Sequence, residues 1–112
     1  MKQFAVYFMN NWTNEILYVG VTSDLLKRIW QHKNKFFKGF TEKYNLTKLV
    51  YFEMHETAET AILREKQIKR WNRKKKDFLV NELNPDWQDL YDNLTGANPL
   101  ASLRFARDDN NG

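Results

Sequence analysis

The sequence predicts a small α+β domain, a three-stranded sheet with flanking helices in the order β-β-α-β-α-α. Three observations predict it. Two apolar, strand-forming runs separated by a turn open the chain. Helical periodicity begins only after them, and a third apolar run divides the first helix from two further helical stretches.

The elements follow in order. Phe4-Ala5-Val6-Tyr7-Phe8-Met9 is continuously apolar, as in a strand buried on both faces. Asn10 to Asn14 is turn chemistry, and Glu15 to Val21 completes a hairpin. Thr22-Ser23-Asp24 supplies capping groups for a helix over Asp24 to Lys33. Phe36 to Asn45 reads as loop, and Leu49 to Glu53 as the third strand. Thr57 opens a helix to about Trp71, and a last helix from Arg73 to Glu82 stops at Asn84-Pro85. Residues 1–92 form the expected domain, and 93–112 a partly disordered tail.

Composition limits the function classes. The chain has 112 residues, 42% hydrophobic and 15% aromatic, enough for one domain with one modest core. No cysteine is present, which removes disulfides, thiolate zinc sites and a cysteine nucleophile. No apolar run reaches the ~18 residues of a membrane span, and the N-terminus lacks a signal-peptide pattern, so a cytoplasmic protein is expected. The net charge is +4, unevenly placed. Residues 57–81 carry eight Lys/Arg against three Asp/Glu, whereas 82–112 carry two against six. Lys66, Lys69, Arg70, Arg73, Lys74, Lys75 and Lys76 make the basic block suited to phosphate contacts or, alternatively, to an ordinary solvated helix face.

Three placements bear on chemistry. If Asn10 pairs with Glu15, Tyr7 lies opposite Tyr18 on one face of the hairpin, as a site or as ordinary aromatic packing. Gly20, two residues on, marks a bulge or a close approach. On the first helix, ~100° per residue sets Leu25, Leu26, Ile29 and Trp30 as the apolar stripe. Arg28 and His32 fall at its edge, spaced to share an anion; the alternative is an Asp24–Arg28 ion pair beside a satisfied histidine. On the second helix Glu65 falls among Ala58, Ala61, Ile62 and Ile68, where a carboxylate needs a partner. Lys69 at i+4 is one candidate; Mg²⁺, which one or two carboxylates hold with waters and phosphate oxygens, is the other.

Ala5-Val6-Tyr7, Tyr18-Val19-Gly20, the segment Val21 to Arg28 with His32, Gly39-Phe40-Thr41, Leu49-Val50-Tyr51 and Arg64 to Lys69 stand in this order. The set resembles the GIY-YIG nuclease superfamily, close to small standalone bacterial proteins related to the N-terminal nuclease domain of the excision-repair incision subunit. Ala5 departs from the first glycine of the motif. The resemblance implies phosphodiester hydrolysis with one Mg²⁺ (or Mn²⁺), Glu65 being its sole protein ligand. Tyr7 or Tyr18 would orient and deprotonate the attacking water, assisted by His32, with Arg28 stabilising the pentavalent phosphate. Gly20 would leave room for phosphate or water, and Asn84 (or Asn81) would match a late family asparagine.

These implications give a DNA endonuclease in repair or processing, with weak sequence preference or a preference for flaps, branches or single strands. DNA is expected over RNA, a targeting partner is compatible, and oligomeric state is left open. The competing classes are a non-catalytic nucleic-acid-binding module of the same fold and a protein-interaction module built on Trp12, Trp30 and Trp87.

Overall fold

A computed structural model describes residues 3–36 and 38–95. The element order is β1 (Phe4–Asn10), β2 (Leu17–Thr22), α1 (Leu25–Lys33), α2 (Phe40–Lys43), β3 (Lys48–His55), α3 (Ala58–Lys69), α4 (Arg73–Leu83) and α5 (Tyr91–Leu94). The sheet is antiparallel with strand order β2-β1-β3, so β1 is central. This is the expected α+β architecture, with two short helices added: α2 within the expected loop, and α5 after the fourth helix.

Alternation along β1 splits the core into two layers. Ala5, Tyr7 and Met9 pack with Leu25 and Ile29 of α1 and with Leu46, Leu49 and Leu90. Val6 and Phe8 pack the other way, against Ala61 and Ile68 of α3, Val80 of α4, and Val19, Val50 and Tyr51. A central strand covered on both faces must be apolar throughout, which is why β1 lacks polar alternation.

Local chemistry sets the boundaries. Asp24 caps α1 by accepting from the Lys27 amide at 3.2 Å; it is therefore the residue before the helix and not its first turn. Thr57 and Asn72 cap α3 and α4 in the same way. The hairpin differs from expectation. Asn10 pairs with Leu17, because the loop spans six residues and is closed by the Ile16 amide donating to Asn11 Oδ1 at 3.0 Å. Asn14 occupies a left-handed turn conformation at φ 62°, which asparagine tolerates well. Ala5, 1% exposed, sits within ordinary strand pairing to Thr22 and Met54, so nothing there requires glycine. Of the expected tail 93–112, the first residues belong to α5 and its C-cap Thr95, so the boundary at 92/93 falls within a helix, and 96–112 lie outside the described residues.

Candidate active site

Tyr7 stands at the middle of the central strand, paired directly with Gly20 on β2 and Phe52 on β3. Tyr18 opposes Met9, not Tyr7. The register thus slips by two residues from the expected one. An even slip keeps every side chain on its face, so Tyr18 becomes the diagonal neighbour of Tyr7 and the phenols still meet. Their ring centroids are 6.2 Å apart. Gly20 takes a different part from the one expected. The space above its Cα is filled by the Tyr7 ring and is not open to phosphate or water.

His32 joins the phenols from α1. Its Nε2 lies 2.9 Å from the Tyr7 hydroxyl, and its ring is 5.8 Å from that of Tyr18. The buried stripe of α1 is Leu25, Ile29 and His32, while Leu26 and Trp30 are exposed. His32 therefore faces the core centrally and not from the edge. Arg28, one turn earlier, interacts with the Tyr7 hydroxyl and raises the positive potential at His32. Asp24 caps the helix through Oδ1, and Arg28 is directed at the phenol.

The electrostatics follow from this packing. Burial pushes the Tyr7 hydroxyl well above its ordinary value, with Tyr18 adding to the rise and Arg28 only partly opposing it. The neighbouring guanidinium does not make this phenol acidic, because desolvation of the phenolate outweighs it. Burial first, and Arg28 second, lower His32 to about 4. Both groups are neutral near pH 7. With Arg28 directed at the same oxygen, the consistent assignment has the Tyr7 O–H donating to Nε2, with the imidazole proton on Nδ1.

Glu65 lies on α3, across the sheet from the phenols. The buried line of this helix is Ala61–Ile68, which leaves Ile62 42% exposed instead of buried as expected. At roughly 100° per residue, Arg64 and Glu65 fall on opposite flanks of that line. Arg64 pairs with Glu53 of β3 at 2.9 Å, so the Glu65 flank leans toward the β2 edge, from which Tyr18, Gly20 and α1 follow. Its carboxylate, with a side chain only 13% exposed, pairs with Lys69 at 3.0 Å. The lysine, half in solvent, occupies the place at this carboxylate that a divalent ion in a one-ligand site would take. Among the described residues no three His, Cys, Asp or Glu side chains come together as a larger cage.

The remaining expected residues divide. Lys66, Arg70, Lys74 and Lys75 are exposed, and Lys76 is partly buried. Arg73 is committed to the fold, donating to Asp77 at 2.7 Å and to the backbone oxygens of Glu15 and Asn14 in the hairpin loop. Asn84 is 5% exposed and engages backbone only, donating to Val50 O and Gln88 O and accepting from the Gln88 amide. Asn81 accepts from the Trp87 indole. Trp87 packs in the α3/α4 layer and Trp30 lies on α1 on the opposite face of the sheet, so the tryptophans do not all share one surface. Phe40, given no separate role by sequence, stacks toward Tyr18 at 6.5 Å; its place after Gly39 in a basic segment was the available signal.

Among the described residues no helix is long and apolar enough to cross a membrane. A family model described as the GIY-YIG catalytic domain matches residues 3–77. A UPF0213 protein of Haloquadratum walsbyi is 30% identical over 82 residues, covering 73% of this chain and 92% of its own. One from Clostridium perfringens is 40% identical over 68 residues, covering 61% and 73% respectively. The solution NMR structure of the UPF0213 protein from Bacillus halodurans shares the fold, with a TM-score of 0.51 at 23% identity, over 80% of this chain and 95% of that one. With the matched segment spanning every strand and the helices bearing Arg28, His32 and Glu65, the chain belongs to the GIY-YIG family.

Proposed function

We propose that this protein is a metal-dependent endonuclease that hydrolyses phosphodiester bonds in DNA, weakly selective for sequence, in DNA repair or processing. The observation that carries the reading is the 2.9 Å contact between the Tyr7 hydroxyl and His32 Nε2, with Arg28 directed at the same hydroxyl. A neutral proton acceptor and a fixed cation on one phenol suit attack of water on a phosphodiester.

In this reading Arg28 holds a non-bridging phosphate oxygen and stabilises the charge that builds there. Tyr18, less buried than Tyr7, contacts the incoming water. Neither phenol need become a phenolate, because the water's proton goes to the Tyr18 oxygen as Tyr18 passes its own to Tyr7 and Tyr7 passes its own to His32 Nε2. A bound phosphate offsets Arg28 and raises the basicity of His32 at that moment. Glu65 would hold a divalent ion, which would supply Lewis-acid polarisation of the scissile phosphate. Lys66, Arg70, Lys74 and Lys75 hold backbone phosphates without reading bases.

The Glu65–Lys69 pair favours a second reading, a DNA-binding module without turnover, since a carboxylate kept by lysine needs no metal. Cleavage of labelled branched, single-stranded and duplex DNA with Mg²⁺ or Mn²⁺ separates the two. The nuclease reading expects wild type to cut, and Glu65→Gln and Arg28→Ala to lose about 10²-fold or more in rate while still binding. Binding without cleavage by wild type selects the second reading.

A further inference from the structure

The segment between α1 and β3 carries aromatic side chains that the fold does not bury. Phe40 is 52% exposed and Tyr44 37%, with ring centroids 4.9 Å apart. Phe40 also lies 6.5 Å from Tyr18, so the rings continue from the phenol cluster out to solvent. Trp30 of α1 and Phe36 of this segment, 45% and 60% exposed, make a second pair at 5.1 Å.

The Phe40–Tyr44 pair is held from beneath. Thr41 is 9% exposed, Leu46 is fully buried in the α1 layer, and the Leu46 amide donates to Thr41 O at 2.9 Å. Core packing fixes α2 while its rings face outward, a preorganised surface. Its net charge is positive. Lys35, Lys38 and Lys43 accompany the rings against one acid, Glu42, and the Lys43 ammonium sits 5.3 Å over the Tyr44 ring.

Exposed rings interleaved with lysines match a ligand with flat apolar faces on a polyanionic chain. Paired bases hide those faces within the stack, and unpaired ones present them. We propose that Phe40 and Tyr44 form a stacking platform for unpaired bases, which seats a single-stranded stretch of nucleic acid beside the phenol cluster. The inference deepens the nuclease reading and rests on it for the position of the scissile strand, but the binding itself requires no turnover.

The test is binding in EDTA, followed by fluorescence anisotropy, with an oligodeoxythymidylate, an abasic strand of equal length and a duplex. The F40A/Y44A double variant should lose about tenfold or more in affinity for oligodeoxythymidylate, while F40W retains it and the abasic strand and duplex change by less than about twofold. Both sites are exposed, and circular dichroism checks the fold. An equal loss on the abasic strand or the duplex, or no loss on oligodeoxythymidylate, overturns the platform. So does a dimer that the double variant dissociates, which would assign the rings to a second copy of the chain. Because metal is excluded, failure here differs from failure of cleavage. A protein that stacks bases but never cuts keeps the platform and loses the nuclease.

Discussion

The Tyr7 ring lies across Gly20: a Cβ at Gly20 would stand 2.6 Å from both Cζ and Oη of the tyrosine. The two are direct cross-strand partners, and Tyr7 has no exposed surface through which to retreat. Gly20→Ala therefore has to displace a buried ring and its contact with His32. A cost of roughly 1–3 kcal/mol is expected, of the size found for overpacking. Urea unfolding of G20A measures it. In a Tyr7→Ala background the same change should cost almost nothing, and an undiminished cost there would show that the glycine serves the backbone instead.

Stability should also depend on pH through His32. Its folded value is about 4 against an ordinary histidine's 6.5, because burial and Arg28 disfavour the imidazolium. Below pH 6.5 the unfolded chain takes up a proton that the folded chain refuses, so stability falls as pH drops from 6.5 toward 4 and is unaffected above. The full loss is on the order of 3 kcal/mol. His32→Gln should flatten this portion of the stability profile. The His32 ring resonances of wild type should stay at neutral-form positions down to about pH 5, and titration near 6.5 would refute the assignment.

The element order, the cover on both faces of β1 and the phenol face were legible in the sequence because each rests on short-range pattern. A continuously apolar β1 requires cover on both sides, and Tyr7 and Tyr18 keep one face under any even slip of register. The register itself depended on loop closure through the Asn11 side chain, which spacing does not encode. The α1 stripe was misjudged by taking every large apolar residue as buried. Trp30 is 45% exposed, and the core takes His32 in its place because Tyr7 offers it a hydrogen bond. The same bias put Ile62 inside. Arg73 enters the basic block by charge and Asn84 by the family resemblance, whereas the contacts they make, 58 and 34 residues away in sequence, hold the fold together.

Charge in the basic block should consequently separate into two behaviours. Arg73 joins the start of α4 to the hairpin loop through Glu15 O and Asn14 O. Arg73→Ala should destabilise by roughly 1–2 kcal/mol, since charge-assisted bonds are lost at a partly exposed site. Lys74→Ala and Arg70→Ala, at exposed positions, should leave stability within about 0.5 kcal/mol. Each should instead weaken DNA binding and lower the slope of log affinity against log salt by about one. Denaturation and salt-titrated binding on the three variants give the comparison, and a stability loss for Lys74→Ala equal to that for Arg73→Ala would contradict it.

Lys69 gives the most direct view of Glu65. Its ammonium lies 3.0 Å from the carboxylate, and half of the lysine side chain is in solvent. If the carboxylate is the seat of a divalent ion, lysine and metal compete for it, and removing the lysine favours the metal. An exposed pair contributes about 0.2–1 kcal/mol, so Lys69→Ala should lower the half-saturating Mg²⁺ concentration by up to about fivefold. The same variant should bind DNA slightly less well, because a cation near the backbone has gone, and this is read separately in EDTA. Opposite movement of metal demand and DNA affinity is the signature of competition at Glu65. A Lys69→Ala enzyme with unchanged metal demand would leave the pair as a helix-stabilising contact and move the metal ligand elsewhere.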